Sequence, residues 1–452
     1  MARQPRVLLP QPVFGEPVFN EAGAPTADPT TFRTPHDKKT DDQLYSQVQK
    51  LLTKDTVKFR TSRGKPGDLY GLASALGSQG PTDVQAIQES GQIVFHAVGD
   101  TGAAYLTKLV NEETVADRLT NDFHTSKGAD RPAFLFHLGD IIYNFGEAQF
   151  YYDQFYEPFR NYAAPIFAIP GNHDSFTLPK TKAADAPLAT FMRNFCSLRY
   201  VVTKDAGSLH RTAMTQPGVY FTLDAPFVRI IGLFSNALED PGLISSQKNQ
   251  KTKWPGVPDD QLAFLTAQLQ NIKVNGYAGA VIIAVHHPPF SYAPAQRPSA
   301  GGIHSGSAAM LAEIDSICKT QAVYPHAFLS GHAHNYQRYT RRVNLAGKNY
   351  TVPFVVSGDG GYNVTGLVQS RGGVTPPDPA PGAHVDYLDA NLGGVGGGLT
   401  IDNFDHTNYG YLRITVDSKQ LRIEFHPIGK GGATAPVDTV IVDLASHTVI
   451  SK

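Results

Sequence analysis

Ile93-Val94-Phe95-His96-Ala97-Val98-Gly99-Asp100-Thr101-Gly102 is a mostly apolar run halted by glycine and a carboxylate. A short apolar run bounded by turn residues reads as a strand buried on both faces. From Ala103 to Phe123 the spacing changes. Leu106, Leu109, Val110 and Leu119 recur at helical intervals and predict an amphipathic helix lying against the sheet. The same strand-and-stop pattern returns downstream. Ala133–Leu138 ends in Gly139-Asp140-Ile141-Ile142-Tyr143, with a helix expected over Glu147–Arg160, and Pro165–Ile169 ends in Gly171-Asn172-His173-Asp174. Ala280–Val285 ends in His286-His287-Pro288, and Ala327–Ser330 ends in Gly331-His332-Ala333-His334.

Open α/β sheets bind ligands at the carboxyl ends of their strands. Five consecutive strand ends here carry carboxylate, amide, phenol and imidazole groups, a donor set that suits a pair of metal ions and phosphate ester chemistry. Each segment alone has a plainer reading. Asp100 would serve equally well as a cap for the following helix, Tyr143 as packing, and Gly171-Asn172 as a turn. A lone histidine is more often a satisfied core residue than a ligand. The series of four histidines, two aspartates, an asparagine and a tyrosine, all at strand ends, is what favours a metal centre. Asp140, with two oxygens, would bridge two cations. Tyr143, as a phenolate, would be a hard anionic ligand favouring a trivalent ion.

The remaining chain organises around this part. Residues 1 to about 40 are proline-rich and aperiodic. Thr40 and Gln43 are placed as a capping box for a helix with Leu44, Val48, Leu51 and Leu52 on one face. Thr56–Glu89 carries no clean pattern, and residues 1–90 are read as an N-terminal extension packed on a catalytic domain over 91–447. Gly218–Thr222 and Val228–Leu233 form an expected hairpin. Helices are expected over Pro258–Ile272 and near Ser307–Cys318. After His334 the pattern becomes strands without helices, at Tyr350–Val356, Tyr409–Val416, Gln420–His426 and Thr439–Leu444, predicting a second sheet packed on the first. Val364–Thr407 reads as a long loop rich in glycine and proline, with His384 and Asp386, overhanging the crevice. The fold expected is α/β, a four-layer α/β/β/α sandwich of two mixed sheets flanked by helices.

Composition bounds the partners. In 452 residues the net charge is −1, which advertises neither nucleic acid nor a charged tail. No stretch is long and apolar enough to cross a membrane. The two cysteines, Cys196 and Cys318, are too few for a disulfide framework, and either one bridge or two buried thiols would fit. The opening Met1-Ala2-Arg3-Gln4-Pro5 lacks a signal-peptide core, so the chain as given reads as cytoplasmic, or as secreted or periplasmic if a leader was removed. Oligomeric state is not legible.

The five segments together resemble the calcineurin-like metallophosphoesterase superfamily and, within it, the purple acid phosphatases. The superfamily at large carries Asp-x-His at the first position. Here that position reads Asp100-Thr101-Gly102, and Tyr143 stands in the second segment, a joint substitution that marks the purple acid branch. The resemblance covers roughly residues 90–340 by motif and extends to about 445 by strand pattern. It implies that Asp100, Asp140, Tyr143 and His334 hold Fe(III), while Asp140, Asn172, His286 and His332 hold Fe(II), Zn(II) or Mn(II). It also implies that His173 contacts the phosphate and acts in catalysis, with Asn172 and His304 as further substrate contacts. His287 falls where the family tolerates many residues and is expected to be a neighbour of the site.

The activity implied is acid phosphatase action on small-molecule phosphomonoesters by attack of a metal-bound hydroxide. The alternatives are a phosphodiesterase with the same metals, for which Arg338 would supply a cation to a second terminal oxygen, and a phosphate- or metal-binding pseudoenzyme.

Overall fold

The computed structural model describes residues 13–19, 43–44, 46–47, 59–177, 186–207, 209–292, 304, 306–367, 378–385, 398–429 and 435–451. The helix expected after Thr40 lies largely outside the described residues, as does half of Val364–Thr407, including Asp386.

The strands are, in chain order, β1 (Tyr70–Gly71), β2 (Gln92–Val98), β3 (Pro132–His137), β4 (Ile166–Ala168), β5 (Phe221–Ala225), β6 (Val228–Leu233), β7 (Ala280–Val285) and β8 (Ala327–Ser330). They continue as β9 (Tyr336–Leu345), β10 (Lys348–Ser357), β11 (Ala383–His384), β12 (Leu399–Asp405), β13 (Tyr409–Asp417), β14 (Gln420–Ile428), β15 (Asp438–Asp443) and β16 (Thr448–Ser451). Among the described residues they form two mixed sheets. One runs β1-β5-β6-β7-β8-β10-β9-β12-β11 and the other β16-β15-β14-β13-β2-β3-β4.

The sheets pack face to face through aromatic rings. Phe136 and Phe167 of one sheet meet Phe221 of the other. Tyr336 stacks on Phe425 with ring centroids 3.9 Å apart. Helices cover the outer faces. Leu106–Thr125 lies against β13 and β14, and Asp260–Val274 against β6 and the helix Ala308–Gln321. The first of these buries Leu109, Val115, Ala116 and Leu119, whereas Val110, expected on its inner face, is exposed.

Several expectations need correction. The strands after His334 do not make up a sheet of their own. β9 and β10 extend the sheet of β5–β8, because β10 pairs parallel with β8, while β13 pairs antiparallel with β2 and leads β14–β16 into the other sheet. The helix expected over Glu147–Arg160 is instead a 3₁₀ turn at Ala148–Phe150 followed by a π-helical turn at Tyr152–Tyr156. The presumed irregular stretch before Gln92 contains a helix, Gly80–Ser90, with Pro81 in its first turn and Gly91 closing it at φ 83°. β1 joins that stretch to the nine-stranded sheet beside β5. Within the presumed loop Val364–Thr407, β11 and β12 form a sheet edge. Cys196 and Cys318 are both buried and free, and no described helix is long and apolar enough to cross a membrane.

Candidate metal centre

The carboxyl ends of β2, β3, β4, β7 and β8 converge on one edge, where the two sheets are stitched together. Between the sheets Gly99 N–H donates to Ser357 O (3.0 Å), while within them Asp100 N–H donates to Gly139 O (2.9 Å) and Gly331 N–H to His286 O (3.0 Å). The chain turns sharply at this edge. Asp100, Asp140 and His332 take left-handed backbone conformations, with φ of 58°, 53° and 69°. Non-glycine residues adopt this region at a cost and persist there where the surroundings impose it, commonly at functional sites. Gly171 has to be glycine for a local reason. A Cβ there would lie 2.5 Å from Asp140 N and closer still to Asp140 Oδ1.

Two groups of ligating atoms form. In the first, the Tyr143 hydroxyl donates to Asp100 Oδ1 (2.8 Å) and lies 3.1 Å from His334 Nε2, which is itself 3.5 Å from Asp100 Oδ1. Asp100 Oδ2 accepts the backbone N–H of His332 (2.7 Å) and so fixes the turn that presents both histidines. In the second, His286 Nε2 is 3.1 Å from Asn172 Oδ1 and 3.4 Å from Asp140 Oδ2. His286 Nδ1–H donates to Leu138 O (2.9 Å), across the gap between the sheets. Asp140, His286 and His332 each offer an atom within 4.8 Å of the other two. Asp140 Oδ1 accepts the His173 N–H (2.9 Å) and holds that residue beside its carboxylate.

The donor chemistry fits cations. With Nδ1–H committed to Leu138 O, a neutral His286 aims a lone pair at two oxygens that are themselves acceptors. Three lone pairs facing one another repel unless a proton or a cation lies among them. Asp140 Oδ2 and His332 Nε2 are buried with no hydrogen-bond partner, and orphan buried polar atoms are rare in folded proteins. Electrostatics agree. Burial pushes the Asp140 carboxyl up, but His286 and His173 outweigh it and hold the group below the usual carboxylate range. Burial pushes His286 down, and the Asp140 carboxylate reverses this and raises it to about 9. Burial, then the neighbouring imidazoles, drives His332 well below its ordinary value, leaving it a neutral donor. For Tyr143, burial and then Asp100 push the phenol well up, a sense that a bound cation inverts.

The other predicted residues lie around these groups. His173 Nδ1–H donates to Asn144 O (3.0 Å), and its ring lies 4.3 Å from that of Tyr143. The His304 ring lies 3.9 Å from that of His332. Its Nδ1 is 3.9 Å from Asp240 Oδ2 and its Nε2 4.0 Å from Glu239 Oε1. Asp240, His304 and His332 thus make a second cluster on the outer side of the second group. His287 is no ligand. Its Nε2–H donates to Leu238 O (2.8 Å), Nδ1 pairs with Ser235 Oγ (2.7 Å), and burial pushes it down to about 3. It anchors the segment that carries Glu239 and Asp240. Arg338 points away from the site and is buried. It grips Asp438 with two bonds of 2.6 and 2.9 Å and Asp402 with a third, joining β9 to β15 across the two sheets.

Sequence reasoning missed three partners. Asp174 sits in a quoted motif yet received no role. It accepts N–H groups of Gly171, Ile141 and Ile142 and locks the Asp140 turn to the Asn172 turn. His137 pairs with Thr101 Oγ1 (2.9 Å) and accepts from Gly139 N (3.2 Å) beneath both aspartates. Tyr362 stacks on Tyr143. Such contacts come from distant chain and leave no local pattern.

A calcineurin-like phosphoesterase model matches residues 93–336. No curated protein matches the chain. Among solved structures, "GAP50 the anchor in the inner membrane complex of Plasmodium" is similar at 12% identity and TM-score 0.45, over 77% of this chain and 87% of its own. PhoD is similar at 14% identity and TM-score 0.43, over 80% of this chain and 72% of its own. A predicted phosphoesterase from Streptococcus pneumoniae is similar at 10% identity and TM-score 0.26, over 78% and 98%. With the family model spanning more than half of its length, the chain belongs to the calcineurin-like phosphoesterase family.

Proposed function

We propose that this protein is a phosphomonoesterase of the purple acid type, with Fe(III) at the Tyr143 group and Fe(II), Zn(II) or Mn(II) at the second. The observation that carries the reading is the meeting of Tyr143 with Asp100 and His334 while position 102 is closed. A Cβ at Gly102 would lie 2.6 Å from Ile141 O and 2.9 Å from Gln154 Oε1, so the backbone has no room there for a histidine ligand. The phenol fills that part instead.

Asp100, Tyr143, His334 and Asp140 would hold the first ion, and Asp140, Asn172, His286 and His332 the second. When bound, two such cations supply Lewis acidity toward water and toward the phosphate oxygens. The chain's own residues do the rest. His173, pinned through Nδ1, offers Nε2 to the phosphate or to the leaving oxygen, where proton donation accelerates release of an alkoxide. Asn172 and His304 line the same crevice as substrate contacts, with His304 backed by the carboxylates of Glu239 and Asp240. Arg338, spent on Asp438 and Asp402, supplies no cation to the substrate.

The test is metal analysis together with hydrolysis of an aryl phosphate and of the matching bis-aryl phosphate. The reading expects two ions per chain and faster monoester cleavage. Faster diester cleavage would favour the phosphodiesterase, and bound metal with neither activity would favour a binding protein.

A further inference from the structure

The segment Gly358–Thr365 follows β10 and lies beyond the stretch matched by the family model, yet it touches every residue of the first ligand group except the bridging Asp140. Gly360 N–H donates to Gly99 O (3.1 Å), Tyr362 N–H to Asp100 O (3.0 Å) and Thr365 N–H to His334 O (2.8 Å). The Tyr362 ring lies flat on that of Tyr143, with centroids 3.7 Å apart and planes within 5°. Its other neighbours fix it there. Its hydroxyl donates to Asn144 Oδ1 (3.3 Å), and its ring meets the edge of His334 at 5.2 Å. The Lys108 ammonium lies over it at 5.4 Å. One face being covered by Tyr143, that cation sits on the other.

Near-parallel stacking also joins Tyr336 to Phe425 in the packing between the sheets, so the stack by itself does not mark a site. What sets Tyr362 apart is the combination of its contacts: its ring covers the Tyr143 phenol, its backbone N–H holds Asp100 and its hydroxyl holds Asn144. The Lys108 ammonium over the ring draws density from the stack.

We propose that Tyr362 is a positioning residue of this site, holding the Tyr143 phenol at its ligand position and setting how firmly the first ion is retained. The proposal rests on Tyr143 being a metal ligand. It assigns a role to a residue outside the five strand-end segments, acting through Tyr143 rather than on substrate.

The experiment uses the full chain loaded with iron and compares Tyr362→Leu, Tyr362→Phe and Lys108→Met with the unaltered protein. Three quantities are read: the melting temperature, the visible tyrosinate band, and the rate at which a chelator strips each ion. Changes to residues supporting metal ligands typically cost 10–100-fold in affinity. Tyr362→Leu should therefore release the first ion about 10–100-fold faster and shift the band, with the second ion held as before. Tyr362→Phe, which keeps the ring, should match the unaltered protein. A folded Tyr362→Leu with unchanged release and band overturns the proposal, as does a Tyr362→Phe that loses iron as the leucine variant does. Should Tyr362→Leu not fold, Lys108→Met carries the test: a shifted band supports the proposal, and unchanged band and release overturn it. A colourless protein whose first ion is loosened by Tyr362→Leu would sink the ferric assignment while sustaining this role. A violet protein indifferent to Tyr362→Leu would do the reverse, and a chain holding no ion overturns both.

Discussion

Replacing Asp140 by asparagine removes one charge from the residue that the proposed function places between the two ions and changes almost nothing else. Asparagine tolerates the left-handed backbone that Asp140 occupies at φ 53°. Its Oδ1 still accepts the His173 N–H held at 2.9 Å. Its amide nitrogen takes the place of Oδ2, 3.4 Å from His286 Nε2, and donates to it. Asp140→Asn should therefore fold with a melting temperature close to that of the unaltered chain.

The electrostatic consequence follows from His286, which Asp140 raises to about 9 against the pull of burial. Because burial pulls the other way, the attraction of the Asp140 carboxylate is stronger than this net rise alone conveys. With the Asp140 carboxylate gone, only Asp100 and the Leu138 carbonyl still oppose burial, and His286 should titrate well below about 9 in chelator-treated protein, a shift visible by NMR. Metal-ion Lewis acidity is worth several kcal/mol to phosphate ester cleavage, and a lost or misplaced ion forfeits it. Loss of about 3–4 kcal/mol corresponds to a fall of roughly 10²–10³-fold in aryl phosphate hydrolysis. Asp140→Asn with full activity and full metal content would refute the placement of this residue between two ions.

Other perturbations probe the supports. Gly171→Ala drives a methyl group into Asp140 and should weaken retention of the second ion about 10–100-fold on dialysis against chelator, while the fold survives. Asp438→Ala leaves the buried Arg338 guanidinium without its two-bonded partner and should cost about 3–5 kcal/mol in urea unfolding; a loss below about 1 kcal/mol would contradict a burial cost of that size. His326 and His447 stack at 4.2 Å, and burial pushes them down to about 3 and about 4. The folded state thus binds protons less readily than the unfolded chain. Their contribution is complete above the ordinary histidine value near 6.5 and is lost as pH falls toward the folded values, about 2 kcal/mol each between pH 7 and 5. His447→Gln should flatten that slope, and an equally steep profile would count against it.

The strand ends were readable because each is a local event: an apolar run, a glycine that permits the turn, and a polar residue at its tip. Their convergence follows from strand order alone. β9 escaped notice for a physical reason. Both of its faces are buried and each carries an arginine, Arg338 paired with Asp438 of the other sheet and Arg341 with Asp315 of the covering helix, so its pattern does not read as hydrophobic. The division of late strands between two sheets was equally hidden, since pairing of β13 with β2 joins residues some three hundred positions apart. Helix Gly80–Ser90 had a legible start and stop, but only Val84 and Ile87 line its apolar side, too thin a stripe to register. At the site, the ligands carried signals in their spacing. Asp174, His137, Glu239, Asp240 and Tyr362, which hold or flank them, did not, because their roles depend on which loops meet in space.

The central claim is that Tyr143 binds a ferric ion beside a second metal, and the visible absorption spectrum of the purified, iron-loaded protein addresses it most directly. The account predicts a violet chromophore that disappears in Tyr143→Phe while iron stays bound through Asp100, Asp140 and His334. A colourless protein with iron in place, or a band that survives Tyr143→Phe, would contradict it.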